Sequence, residues 1–223
     1  MKKLLVSSIA AMALTSSVVV AEESGAFVGL DLGMSGITDK GKISGAGVGG
    51  EISTSERGRG VNAGLVGGYK QFFTDSFGLR YYANLGYLSF DVKDTDTNKT
   101  ESLNAINYGV NVDALYNFVS SDGMDFGTFL GLGLGAVTWS GKYVDGLKAA
   151  FGKTSTTSFD VALNAGLRGV FAKQHGVEIA VRVPFMGTKI VDGNFDLGAG
   201  ADVKVENTIT RNYNVGVRYT FSF

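Results

Sequence analysis

Four arginines and four acids occupy positions that alternate with apolar residues: Arg80, Arg168, Arg182 and Arg218, with Asp31, Asp113, Asp160 and Glu178. Equal numbers of each sign on one face of several strands form a self-neutralising set. Removed from water, each guanidinium is expected to find a carboxylate. Such a set can plug a narrow lumen, or in another arrangement line a narrow ion path. A carboxylate of the set could act as a general acid or base, but no spacing singles out a pair. The one histidine, His175, falls in a short turn spanning 172–176, where it reads as a solvated polar residue. No metal-ligand spacing, nucleophile motif or phosphate-cradling loop beside a helix is present. The run Gly131-Leu132-Gly133-Leu134-Gly135 lies inside an alternating segment, where its glycines leave room for the long arginines. No catalytic, metal or cofactor-binding residue is expected.

These side chains need strands to hold them. The last eleven residues show the pattern: Tyr213, Val215, Val217, Tyr219, Phe221 and Phe223 alternate with Asn214, Gly216, Arg218, Thr220 and Ser222. Strict period-2 alternation marks a strand with one dry and one wet face. Eight such segments can be counted, at about 25–34, 60–70, 77–90, 106–118, 126–138, 159–171, 177–186 and 213–223. Each is close to the length a tilted strand needs to cross a bilayer. The expected fold is all-β, an eight-stranded antiparallel up-and-down transmembrane β-barrel.

The connections alternate in length. Those at 71–76, 119–125 and 172–176 are short, while those at 35–59, 91–105, 140–158 and 187–212 are long. Short turns at one end and long loops at the other are the asymmetry of outer-membrane barrels. The 35–59 loop, rich in Gly and charge, reads as mobile. A soluble barrel would also alternate, but with lysines and glutamates on its wet face. Here the polar face carries Gly, Asn, Asp and Arg, and of eleven lysines after the leader only Lys70 touches a strand, at its end. That composition suits a confined interior. Aromatics gather in two belts, with Tyr69, Phe77, Phe118, Phe126, Phe171, Phe221 and Phe223 at one rim. Tyr87, Tyr108, Trp139, Phe159, Phe185 and Tyr213 lie toward the other, as at two lipid interfaces.

Residues 1–21 read as a secretory signal peptide: Lys2 and Lys3, an apolar run from Leu4, and a small-residue cleavage site ending at Ala21. Residues 22–223 then form the barrel, placed in a bacterial outer membrane. Removing Lys2 and Lys3 from 20 basic residues leaves 18 against 21 acidic ones, a net charge of −3. That balance gives no reason to invoke nucleic acid. After the leader no apolar run reaches the length of a transmembrane helix, so the chain must cross as strands. On the 91–105 loop, Asn98-Lys99-Thr100 carries the glycan-acceptor pattern N-x-T, making Asn98 a candidate glycosylation site.

Two stretches resemble known proteins. The C-terminal phenylalanine with Tyr219 and Phe221 behind it resembles the assembly signal of bacterial outer-membrane barrels, which implies the outer-membrane assembly machinery as a partner. The run His175-Gly176-Val177-Glu178-Ile179-Ala180-Val181-Arg182-Val183-Pro184, with Arg211-Asn212-Tyr213 and Tyr219-Thr220-Phe221, resembles the C-terminal barrel region of the Helicobacter-type outer-membrane protein family. Many larger members of that family are similar to adhesins or porins. The residues support a closed-lumen barrel, without enzymatic activity, in contact with outer-membrane lipids. Its role is expected to be structural or adhesin-like, with a host or surface ligand met through the long loops. The alternative is a small porin-like channel for ions or small solutes.

Overall fold

The computed structural model describes residues 22–45, 49–93, 100–121, 124–152, 154–196 and 202–223. Among the described residues nine strands and one helix follow in order: β1 Gly25–Gly45, β2 Gly50–Phe72, β3 Phe77–Lys93, β4 Thr100–Ser121, β5 Met124–Ser140, α1 Lys142–Phe151, β6 Thr157–Phe171, β7 His175–Pro184, β8 Gly187–Asp196 and β9 Asp202–Ser222. Each strand pairs antiparallel with its neighbour, and β1 pairs with β9 from Phe27↔Ser222 to Gly45↔Val203, so the sheet closes on itself. β7 and β8 lie end to end along β9, His175–Arg182 against one half and Gly187–Asp196 against the other. They share one place in the wall, giving the expected eight positions around the ring. Closure removes the exposed edges an open sheet would leave.

The break between β7 and β8 has a local cause. Pro184 has no N–H to give to a ladder, and β7 ends on it. Phe185 and Met186, placed by the alternation in the seventh strand, fall outside both β7 and β8.

The outer wall is apolar. Leu132 is 57% exposed and Val217 53%, and Leu30, Leu65, Val110, Leu134, Leu167 and Ile179 are exposed with them. The inner face is charged, with Arg80 only 1% exposed. An aqueous protein with this inside-out distribution would carry a very large apolar patch. In a bilayer the same surface is in its own solvent.

The long connections differ from the expectation. The stretch 35–59 is mostly ladder: β1 and β2 stay paired to Gly45↔Gly50. The stretch 187–212 holds β8 and the first half of β9, and 140–158 holds α1. Lys40, Lys42, Lys93, Lys189 and Lys204 are therefore strand residues along with Lys70, contrary to the expected confinement of lysine to loops. The sequence polarity inverts above the lipid-facing band, so apolar residues turn inward there and polar ones outward. Ile37, Leu88, Phe90, Leu103, Val137, Trp139, Ile190, Val203, Val205 and Ile209 form one buried core, onto which α1 packs Val144 and Leu147. Trp139, expected in an aromatic belt, is buried here, its Nε1 donating to Thr188 Oγ1 at 2.9 Å. Asn98 lies outside the described residues.

Candidate functional site: the filled lumen

All eight charged residues expected on the polar face point into the ring or its rim, and the structure brings them together in layers. In the central layer Arg80 meets Asp113 at 2.7 Å and Glu178 at 2.5 Å. Arg218 meets Asp31 at 2.6 Å and Glu178 at 3.5 Å. Strand register explains the matches: Arg80 faces Asp113 across β3–β4, Arg218 faces Asp31 across β9–β1, and Glu178 faces both Arg168 and Arg218 from β7. Arg80 is also held by rings, its guanidinium carbon 4.9 Å from the centre of Phe129 and 5.1 Å from that of Tyr82. Cation–π contact of this kind strengthens as water is excluded. Tyr82, on the polar face, was not among the expected lumen residues.

Towards the hairpin end, Arg182 reaches Asp160 at 3.1 Å and the amide oxygens of Asn111 and Asn164 at 2.7 and 3.0 Å. Arg211 adds a second cation, 2.6 Å from Asp160 Oδ1 but without hydrogen-bond alignment. A Cβ on Gly131 would collide with Asp113 Oδ1, and one on Gly133 with Asn111 Oδ1 and the Arg182 guanidinium. These two glycines supply the room the network occupies.

The layer at the short-turn end was missed by the sequence reading. Glu22 is 0% exposed. Its two carboxylate oxygens accept from Arg168 at 2.6 and 2.7 Å, one also from Lys70 at 2.7 Å and the other from Asn117 at 3.2 Å. Among the described residues the ion pairs of the lumen join six cations (Lys70, Arg80, Arg168, Arg182, Arg211, Arg218) to five anions (Glu22, Asp31, Asp113, Asp160, Glu178), and Asp125 is a further buried acid at the short-turn end. Glu22 precedes every alternating segment and Arg211 lies beyond a bulge, so neither belonged to a readable strand face. Only Lys70 carried a signal, as the lysine that ends a strand.

Between the central layer and the apolar core lies a cavity of about 70 Å³, lined by Asn62, Asn84, Asn107, Asn164, Arg182 and Asn214. Arg182 Nε and Asn214 Oδ1 have no partner among the described residues, and the space is enough for a few waters to satisfy them. At the hairpin end, Tyr143 of α1 donates its hydroxyl to Asp39, which also accepts from Asn207 Nδ2 at 2.8 Å. Burial pushes the Asp39 carboxyl up, against the lowering effect of those donated bonds.

The remaining candidates are peripheral. His175 Nδ1 lies 2.7 Å from the Tyr219 hydroxyl at the short-turn end. Tyr219 and Phe223 are exposed on the outer wall, and Phe221 and Phe223 pack edge-to-face at 5.3 Å. The Phe223 N–H donates to Ala26 at 2.9 Å, so the end of the chain is tied into the closing seam.

A closed antiparallel ring, apolar outside and charge-filled inside, defines a transmembrane β-barrel. The family model described as Helicobacter outer membrane protein matches residues 64–223, and the chain belongs to that family. Among solved structures it is similar to the outer membrane protein OprG from Pseudomonas aeruginosa, with 16% identity over 92% of this chain and 100% of that one, at a TM-score of 0.53. The outer membrane enzyme PagL matches 84% of this chain and 99% of its own at 13% identity and a TM-score of 0.40. Neisserial surface protein A matches 91% and 100% at 15% identity and a TM-score of 0.37. Likeness at such identities concerns the fold alone. A comparison with the curated proteins finds no match. In an outer-membrane barrel the short turns face the periplasm and the long hairpins the outside. The layer around Glu22 is thus periplasmic, and the apolar core with α1 is extracellular.

Proposed function

We propose that this protein is a closed-lumen outer-membrane barrel, not an enzyme, that works at the cell surface through its extracellular hairpins and α1. The observation that carries this reading is the double filling of the lumen. Buried ion pairs occupy the periplasmic and central part, from Glu22 to Arg182, and an apolar core occupies the extracellular part. An eight-stranded ring is narrow enough for side chains to fill it, and here they do so twice over. A folded, elaborated extracellular end then presents a structured surface for a structural or adhesin-like role. The chain reaches this state after export, with its leader removed near Ala21, so that N-terminal sequencing of the outer-membrane form reads Glu22 first.

Planar-bilayer recording of the folded protein tests the closed lumen. The expected result is a membrane without stable unitary steps in 1 M salt. Long-lived openings of nanosiemens size would overturn it in favour of the porin-like alternative.

A further inference from the structure

The lipid-facing rows of β1, β2 and β9 continue upward, past their last apolar residues, into a basic patch. On β2 the outward positions run Leu65, Ala63, Val61, then Arg59 and Arg57; on β1 they run Leu32, Met34, then Thr38, Lys40 and Lys42. The ladder sets Arg57 opposite Thr38, and Lys40 between Ser55 and Thr208, with Lys189 beyond Thr208 on β8. Directly above the apolar band the outer wall thus carries Arg59, Arg57, Lys40 and Lys189 among hydroxyl side chains.

The acids of this sector either share the inward row, as Asp39 and its ladder partner Glu56 do, or are engaged by other lysines. Asp39 turns inward to Tyr143. Glu51 pairs with Lys42 at 2.8 Å near the hairpin tip, and Glu206 and Asp192 hold Lys189 at 3.3 and 3.2 Å. Asp91 is the acid next in line on β3. Among the described residues neither it nor any other acid makes an ion pair with Lys40, Arg57 or Arg59, and all three are exposed.

We propose that Lys40, Arg57 and Arg59 form a docking site for the phosphate groups of anionic outer-leaflet lipid. The height of the patch selects this partner: it begins one outward position above Val61, where acyl chains give way to headgroups. The side it faces selects it too, since these side chains prolong rows that already lie against lipid. Two guanidiniums can grip phosphate oxygens in bidentate fashion, and Ser55, opposite Lys40, adds a hydroxyl donor beside them.

The test places the barrel in nanodiscs of phosphatidylcholine doped with a bis-phosphorylated glycolipid or with its dephosphorylated form, and counts retained glycolipid by native mass spectrometry. Wild type is expected to keep the phosphorylated form preferentially. The variant K40S/R57S/R59S should bind it about a hundredfold more weakly, at roughly fivefold per charge. The control variant K142S/K148S/K173S, which removes three charges elsewhere, should match wild type. A heat-modifiable gel shift shows that each variant is folded. Equal retention by wild type and K40S/R57S/R59S, equal retention of both glycolipids, or the same loss in the control would overturn the site. Displacement by millimolar inorganic phosphate as efficient as by the glycolipid would assign the patch to free phosphate and overturn the lipid assignment.

Discussion

Glu178→Ala is expected to destabilise the folded barrel by about 3–5 kcal/mol, the range for removing one partner from a buried ion pair. Glu178 is the anion that three guanidiniums share, at 2.5 Å from Arg80, 3.5 Å from Arg218 and 4.0 Å from Arg168. Without it Arg218 keeps Asp31, Arg80 keeps Asp113 and Arg168 keeps Glu22, but three cations then face one another across a space closed to bulk water. Repulsion is added to the lost attraction, which is why this position exceeds the others. Glu178→Gln keeps the shape and most of the hydrogen bonding, so its loss isolates the charge. Glu23→Ala is the control. It removes an exposed pair with Lys173, where a surface contact contributes at most about 1 kcal/mol. Urea titration of the protein in vesicles, read by the gel shift between folded and unfolded forms, measures all three. A Glu178→Ala midpoint equal to that of Glu23→Ala would show that the lumen charges are hydrated.

Trp139→Ala should produce a loss of similar size, about 3–5 kcal/mol for deleting a large buried ring, but localised differently. Trp139 packs against Phe90 at a ring separation of 6.1 Å and donates to Thr188, within the core that seats α1. The cavity left behind lies in the extracellular half. Hydrogen exchange should therefore accelerate in 142–151 and in the upper parts of β8 and β9, while the lipid-facing stretches of β3 and β4 stay protected. Local opening of this kind is what a separately packed unit permits. Uniform acceleration around the ring would mean that the extracellular core and the membrane wall fold as one.

Much of the architecture was legible because a barrel in lipid writes its orientation into every second residue. The eight segments, the closed antiparallel ring and the inward direction of Arg80, Asp113, Glu178 and Arg218 all follow from that alternation. What was illegible has local causes. The terminal strand shows the clearest: odd-numbered residues stay mostly apolar from Val203 to Phe223, yet a bulge near Asn212, opposite Gly36/Ile37, flips the face they present. Below the bulge Val215 and Val217 meet lipid; above it Val205 and Ile209 are core and Arg211 enters the lumen. In β3 the phase changes without a bulge, Tyr87 pointing out and Leu88 and Phe90 in. An alternation that inverts looks, to a one-face reading, like an alternation that stops, so the upper half of β1 passed for a loop; in β9 Asn207 and Arg211 interrupt the odd apolar row, and β2 above Gly60 carries Ile52 as its one apolar residue. Glu22 left no pattern because it belongs to no strand, and three strands, β2, β4 and β6, must assemble around it before its partners exist.

The orientation of the wall in lipid underlies every part of this account, and the absence of native cysteine makes it directly measurable. Single cysteines at Leu132, Val181 and Val217, and one at Ser53 on the extracellular hairpin, can each carry an environment-sensitive fluorophore in refolded proteoliposomes. Quenchers attached to lipid acyl chains should darken the first three labels and leave the fourth bright, and aqueous iodide should do the reverse. Iodide quenching at Leu132, Val181 and Val217, with no effect of the lipid quencher, would contradict the membrane-spanning barrel.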